Sequence, residues 1–147
     1  MKRNDRLNRA VEVAQTVRRS AERFGNKQLA GICSACSLAL AVALQSEGIQ
    51  AEIVSGSYGG QYSGSFHVWV EVDGTIIDVT ATQFRKNLRS VTLRKSGHPM
   101  YFERERTGDT SGFLFRMHPV PRSVFLDMSG VKYRISDLLT SDQEEAS

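Results

Sequence analysis

Two apolar runs joined by an Asp-Gly pair constrain the fold of this chain more than any other feature. The runs cover residues 66–72 and 75–79, and Asp73-Gly74 between them is a strong signal for a two-residue β-hairpin. This turn places Trp69 opposite Asp78. Because side chains alternate along a strand, one face carries His67, Trp69, Glu71, Ile76, Asp78 and Thr80, and the other carries the core residues Val68, Val70, Val72, Ile77 and Val79.

Two helices are predicted before this hairpin. Residues 5–24 have apolar side chains at helical spacing with charged residues between them, which predicts an amphipathic helix. Residues 33–47 are apolar on nearly every side and predict a buried helix that ends at Gly48. Residues 49–54 predict a strand, and the Gly-, Ser- and Tyr-rich residues 56–64 predict a loop. Together these elements predict an α+β fold with N-terminal helices packed on an antiparallel sheet.

The second half of the chain gives weaker signals. Short apolar runs predict strands at 91–94 and 100–104, and further short strands within 113–117, 123–128 and 131–135. Residues 141–147 are expected to form a frayed tail. A chain of 147 residues suits one hydrophobic core, so we expect a single domain over residues 1–140.

Composition limits the classes of partner and the cellular location that we expect. The net charge is only +3, and acidic residues lie between the arginines, so we expect no nucleic-acid partner. No run of 18 apolar residues is present, so no membrane span is expected. The charged N-terminus is not followed by the apolar core of a signal peptide, and the expected location is therefore the cytoplasm.

Cys33, His67 and Asp78 form a candidate set of nucleophile, base and orienting carboxylate. Cys33 begins the second predicted helix, where free N–H groups and the helix dipole stabilise a thiolate. The hairpin makes His67 and Asp78 diagonal neighbours on one face, about 7–8 Å apart along the backbone and within reach of a side-chain hydrogen bond. This arrangement predicts covalent acyl transfer through a thioester.

The same region resembles the transglutaminase-like superfamily of papain-fold cysteine enzymes. The resemblance covers about residues 29–84 and rests on the order and spacing of Gly31-Ile32-Cys33, Gly48-Ile49, Val54-Ser55-Gly56, the strand His67-Val68-Trp69-Val70-Glu71-Val72, and Asp78-Val79-Thr80. It implies a small papain-like core in which Cys33 is the nucleophile, His67 is the base and later the acid, and Asp78 orients the imidazole. Gln28 is then a candidate oxyanion donor, and Trp69 is a candidate wall of the substrate pocket.

The resemblance implies amide chemistry on a protein or peptide substrate without a cofactor. Hydrolysis, as in a cysteine peptidase or a glutamine deamidase, is favoured over a transglutaminase reaction, because a single domain offers few residues for a dry channel to an amine acceptor. Three other interpretations stay open from the residues alone. Cys33 is a plain core residue in a catalytically silent binding module; Cys33 and Cys36 form half of a zinc site; or the two cysteines form a redox pair.

Overall fold

The computed structural model of the chain describes residues 1–24, 33–62, 64–110, 124–126 and 132–134, and the structural statements below concern these residues. Two α-helices come first, followed by strands and one short 3-10 turn. The bounds are α1 Arg3–Phe24, α2 Cys33–Ser46, β1 Glu52–Tyr58, β2 Ser65–Val72, β3 Thr75–Asp78, the 3-10 turn Ala81–Gln83, β4 Thr92–Lys95, β5 Tyr101–Thr107, β6 Val124–Leu126 and β7 Lys132–Arg134.

Strands β1 to β5 form one sheet in the order β4-β3-β2-β1-β5, and every neighbouring pair is antiparallel. Strands β6 and β7 pair with each other and lie within two of the predicted short strands, 123–128 and 131–135. Both helices contact the five-stranded sheet. The predicted α+β fold, with N-terminal helices packed on an antiparallel sheet, is therefore confirmed.

The β2–β3 hairpin has the predicted register. Val72 lies opposite Thr75, and Val70 lies opposite Ile77. The turn residues Asp73 and Gly74 have φ angles of 49° and 75°. Positive φ at both central positions is typical of a type I′ turn, whose twist matches that of the flanking strands. The dipeptide therefore fixes which side chains of the hairpin share a face.

The main core lies between the helices and one face of the sheet. It contains the predicted inward residues of the hairpin together with the apolar sides of α1 and α2. Helix α2 is also tied to β2 by a polar contact, because the Ser37 hydroxyl donates a hydrogen bond to the Val68 carbonyl at 3.1 Å. This bond is buried and fixes the helix that begins with Cys33 against the strand that carries His67.

A second, smaller cluster covers the opposite face of the sheet. Its buried members are Val54, Tyr58, Trp69, Ile76 and Tyr101, and the half-buried residues Phe84, Leu88 and Met100 pack against it. The sequence had placed Trp69 and Ile76 on this face without predicting what covers them. Because of this cluster, the central strands are buried on both sides. The polar residues of the hairpin are therefore shielded from solvent.

The predicted loop at 56–64 is wrong in its first part, because β1 continues through Gly56 to Tyr58. Gly56 is required by a close crossing, since a Cβ at this position would overlap the carbonyl oxygen of Phe102 on β5. The pairing of β1 with β5 also shifts register between Ser55 and Gly56. In the sequence, Gly56 favoured a loop. In the structure, its missing side chain allows β1 and β5 to approach each other closely.

Several predictions fall on the rest of the chain. Gln28, the predicted strand at 113–117 and the predicted tail at 141–147 lie outside the described residues, and the single-domain boundary at residue 140 stays a prediction. Within the described ranges, no helix is both long and apolar enough to cross a bilayer.

Candidate active site

His67 and Asp78 meet in the interior of the protein. His67 lies on β2 and Asp78 is the last residue of β3, so the tight hairpin brings both to one face. Nε2 of His67 and Oδ2 of Asp78 are 2.7 Å apart, and the exposed fractions of the two residues are 0% and 1%. Because this hydrogen bond is short and shielded from solvent, it fixes the orientation of the imidazole ring.

The Asp78 carboxylate accepts further hydrogen bonds. Oδ1 accepts from the Thr80 backbone N–H at 3.0 Å and has a longer contact of 3.5 Å with the Thr80 hydroxyl. Oδ2 accepts from the Tyr101 hydroxyl at 2.8 Å. Burial alone would raise the pKa of Asp78, but the charge and hydrogen bond of His67, with the bonds from Thr80 and Tyr101, hold this pKa below its ordinary value.

His67 is the complementary half of this pair. Burial lowers its pKa, but the Asp78 charge and hydrogen bond outweigh burial, and the Cys33 side chain adds to them, so that the pKa of His67 rises to about 9. The second ring nitrogen, Nδ1, is buried and has no hydrogen-bond partner among the described residues. Because Asp78 occupies Nε2, Nδ1 is the ring nitrogen that remains available to exchange a proton.

Cys33 is the first residue of α2 and is 7% exposed. Its side chain interacts with His67, since it contributes to the raised pKa of that imidazole. At this end of a helix the backbone N–H groups lack partners within the helix and favour negative charge. The structure therefore brings together the three residues that the sequence selected, from α2, β2 and β3.

A comparison with protein families gives this arrangement a context. The family model of the transglutaminase-like superfamily matches residues 3–75, a segment that includes both Cys33 and His67. Residues 3–75 belong to the transglutaminase-like superfamily. This superfamily generally contains cysteine enzymes, which supports cysteine-dependent acyl transfer or peptidase chemistry. No curated protein and no solved structure matches the chain significantly.

The transglutaminase-like segment ends before Asp78, and the rest of the site comes from the following residues. Three aromatic rings also surround His67, and one of them, Phe84, comes from the residues after this segment. Phe84 packs edge-on against the imidazole with centroids 4.8 Å apart, while Tyr58 and Trp69 lie at 6.0 Å and 5.9 Å. Such rings exclude water from the His67–Asp78 bond and thereby strengthen it.

Trp69 lies inside the second cluster and is 1% exposed. Its indole N–H donates to Oε2 of Glu71 at 3.2 Å, and Glu71 also contacts the Arg106 guanidinium at 3.2 Å. Trp69 thus packs beside the His67 imidazole. Its assignment to a substrate pocket stays a prediction, as does the assignment of Gln28 as an oxyanion donor.

Cys36 lies one helical turn after Cys33 and is fully buried in the core between the helices and the sheet. The zinc interpretation of the two cysteines requires further ligands close by. In the part of the chain that the structure describes, no group of three or more His, Cys, Asp or Glu residues is arranged to hold a metal ion.

Sequence reasoning missed Tyr101 as a member of the site. Tyr101 begins β5, whose strand partner is β1, and its hydroxyl bonds to Asp78 on β3. No local spacing relates these residues, because their contact depends on the order of strands in the sheet. Thr80 is a second such residue, since its backbone N–H donates a hydrogen bond to Asp78. An Asp-x-Thr pattern after a strand is the signal that predicts such a local turn.

Proposed function

We propose that this chain is a cysteine-dependent amide hydrolase, either a peptidase or a glutamine deamidase, with Cys33 as nucleophile, His67 as base and acid, and Asp78 as the orienting carboxylate. One observation carries the proposal. His67 is fully buried with Nε2 bonded to Asp78, and its other nitrogen is left for the neighbouring Cys33 thiol. The superfamily membership of residues 3–75 supports a cysteine enzyme of this general class.

The first half of the reaction forms a thioester. His67 accepts the Cys33 proton on Nδ1, and the thiolate sulfur attacks the amide carbonyl carbon. The tetrahedral intermediate carries its negative charge on the former carbonyl oxygen, close to the free N–H groups at the start of α2. When the carbon–nitrogen bond breaks, the leaving amine takes the proton from Nδ1 of His67. Asp78 remains ionised throughout and accepts the Nε2–H bond that holds the ring in place.

The second half of the reaction releases the acyl group. His67 removes a proton from a water molecule, and the resulting oxygen nucleophile attacks the thioester carbon. The carbon–sulfur bond breaks, Cys33 takes the proton back from His67, and a carboxylic acid leaves. An amine in place of water would give a transglutaminase product by the same steps. We favour water and a protein or peptide substrate, in line with the expectation from the sequence that residues 1–140 form a single domain with few residues to build a dry channel for an amine.

The proposal is tested first by the pH dependence of cysteine alkylation. Wild-type protein and the His67→Ala variant are treated with iodoacetamide from about pH 5 to pH 9, and each cysteine is followed by mass mapping. We expect Cys33 to react faster than Cys36 at about pH 6, because the His67 imidazole beside Cys33 can take the thiol proton while Cys36 is fully buried in the core. His67→Ala is expected to remove this difference.

Equal, slow reaction of both cysteines, with a midpoint near the ordinary thiol value of about 8.5, would contradict the proposal and favour the silent binding module. Hydrolysis is then tested on a panel of peptide amide and glutamine substrates with and without an added primary amine. Release of acid or ammonia that stops in Cys33→Ala and continues in Cys36→Ala would support the amide hydrolase. A product in which the amine is incorporated would assign transglutaminase activity instead.

A further inference from the structure

Tyr101 reaches the candidate site from the far edge of the sheet. Strand β5 pairs only with β1 within the five-stranded sheet, and β1 and β2 lie between it and the strand that carries Asp78. Even so, the Tyr101 hydroxyl donates a hydrogen bond to Oδ2 of Asp78 at 2.8 Å. This is the same oxygen that bonds His67, so one carboxylate oxygen connects the proposed base to a distant strand.

The position of the Tyr101 ring is tightly determined. Tyr101 is 6% exposed, and its ring packs edge-on against Tyr58 and Trp69 with centroids 5.2 Å and 5.1 Å apart. Burial and the charge of Asp78 raise the pKa of Tyr101, so the hydroxyl keeps its proton and acts as a donor. The aromatic ring accounts for the packing of Tyr101 in this cluster. Packing does not explain why the ring carries a hydroxyl group.

We propose that Tyr101 is a positioning residue that acts through Asp78. It holds the carboxylate in one orientation and lowers its affinity for a proton, so that Asp78 stays ionised while His67 exchanges protons with Cys33. This proposal rests on the proposed function, because it assigns Tyr101 a role in the same reaction. It also gives β5, which lies outside the matched family segment, a part in the site.

The physical reason lies in the acceptor capacity of a carboxylate. Two oxygens offer about four lone-pair positions, and His67, Tyr101 and the two groups of Thr80 account for all four. A carboxylate with every position occupied has one favoured rotamer. Without the Tyr101 donor, one position on Oδ2 would face an apolar surrounding, where an unsatisfied charged group is costly.

The charged and titratable neighbours of this oxygen set the expected pH behaviour. His67 faces Asp78 from β2 and Tyr101 faces it from β5, and the neighbours Tyr58 and Arg94 affect the pKa of Tyr101 itself. The Cys33 side chain also acts on His67. Removal of the Tyr101 hydroxyl raises the proton affinity of Asp78, so the imidazolium loses its partner at a higher pH than in the wild type.

The test is Tyr101→Phe, read by iodoacetamide alkylation of Cys33 as a function of pH, with thermal unfolding as a check of the fold. We expect the rate at about pH 6 to fall by about 10- to 100-fold, the range that corresponds to a lost hydrogen bond to a charged group. The acidic limb of the profile is expected to move to higher pH. Tyr58→Phe is the matched control, because Tyr58 packs on the same ring and the bonds to Asp78 from described residues come from His67, Thr80 and Tyr101.

A second variant keeps the test decisive if Tyr101→Phe does not fold. Incorporation of 3-fluorotyrosine at position 101 leaves the ring in place and makes its hydroxyl a stronger donor, so the acidic limb is expected to move to lower pH. Profiles that superimpose on the wild type would overturn the role of Tyr101. If wild-type Cys33 itself shows no fast reaction at about pH 6, the proposed function fails first, and the two failures are thereby distinguished.

Discussion

Replacing Asp78 with Asn tests how much stability the buried His67–Asp78 pair contributes. The pKa of His67 is 6.5 in an unfolded chain and about 9 in the folded protein, chiefly because the Asp78 charge and hydrogen bond overcome the opposing effect of burial. A tenfold change in proton affinity corresponds to about 1.36 kcal/mol, so the protonated imidazole adds about 3 kcal/mol to the free energy of unfolding. Asn has nearly the same shape as Asp but carries no charge, so Asp78→Asn should lose most of this contribution.

The sign of the pH dependence follows from the direction of each pKa change. A raised histidine pKa stabilises the folded state fully below about pH 6.5, and this stabilisation disappears as the pH rises through about 9. The lowered pKa of Asp78 has the opposite effect, since its stabilisation is present above the ordinary carboxyl value of 3.8 and disappears as the pH falls below it. The pair therefore contributes most between about pH 4 and pH 6.5.

Urea unfolding of the wild type and Asp78→Asn at about pH 6 and about pH 9.5 measures this directly. We expect a gap of about 3 kcal/mol at the lower pH that narrows strongly at the higher pH. The comparison cancels the titration of both cysteines in the unfolded chain, because the two proteins share them. A gap that stays constant across this range would refute the reasoning, since it would mean that His67 does not carry the stabilising proton.

Three further predictions follow from other contacts. Gly56→Ala is expected to destabilise the protein by about 3 kcal/mol or more, because the new methyl group overlaps a carbonyl of β5, while the uncrowded Gly108→Ala should change stability by no more than about 1 kcal/mol in urea unfolding. Ser37→Ala is expected to cost about 1 kcal/mol by losing its buried bond to β2, and equal urea midpoints would contradict this. Cys36→Ala should keep the fast alkylation of Cys33 in mass mapping, and loss of that reactivity would point to a role for the pair of thiols.

The hairpin and the pair it carries were predictable because their geometry is local. Asp73-Gly74 permits one tight turn, that turn sets one register, and the register places His67 and Asp78 on the same face. Strand alternation then separates the residues that face the helices from those that face the second cluster. Each step involves residues close together in sequence, so alternation and turn chemistry are sufficient.

The second cluster and the role of Tyr101 were not predictable in this way. They depend on β5 pairing with β1, and no periodicity in the sequence specifies which strand takes an edge of the sheet. Gly56 shows the same limit, because its lack of a side chain serves a crossing with a strand nearly fifty residues later, about which the local sequence carries no information.

The hydrogen bonds of Asp78 also have a consequence during synthesis of the chain. Cys33 and His67 leave the ribosome well before Tyr101, whose strand supplies one of the donors to the carboxylate. Until β5 docks on β1, that donor is missing and the aromatic cluster over the imidazole is incomplete. The carboxylate beside His67 therefore gains its full set of hydrogen-bond donors only after β5 has docked on β1, later than the synthesis of Cys33 and His67.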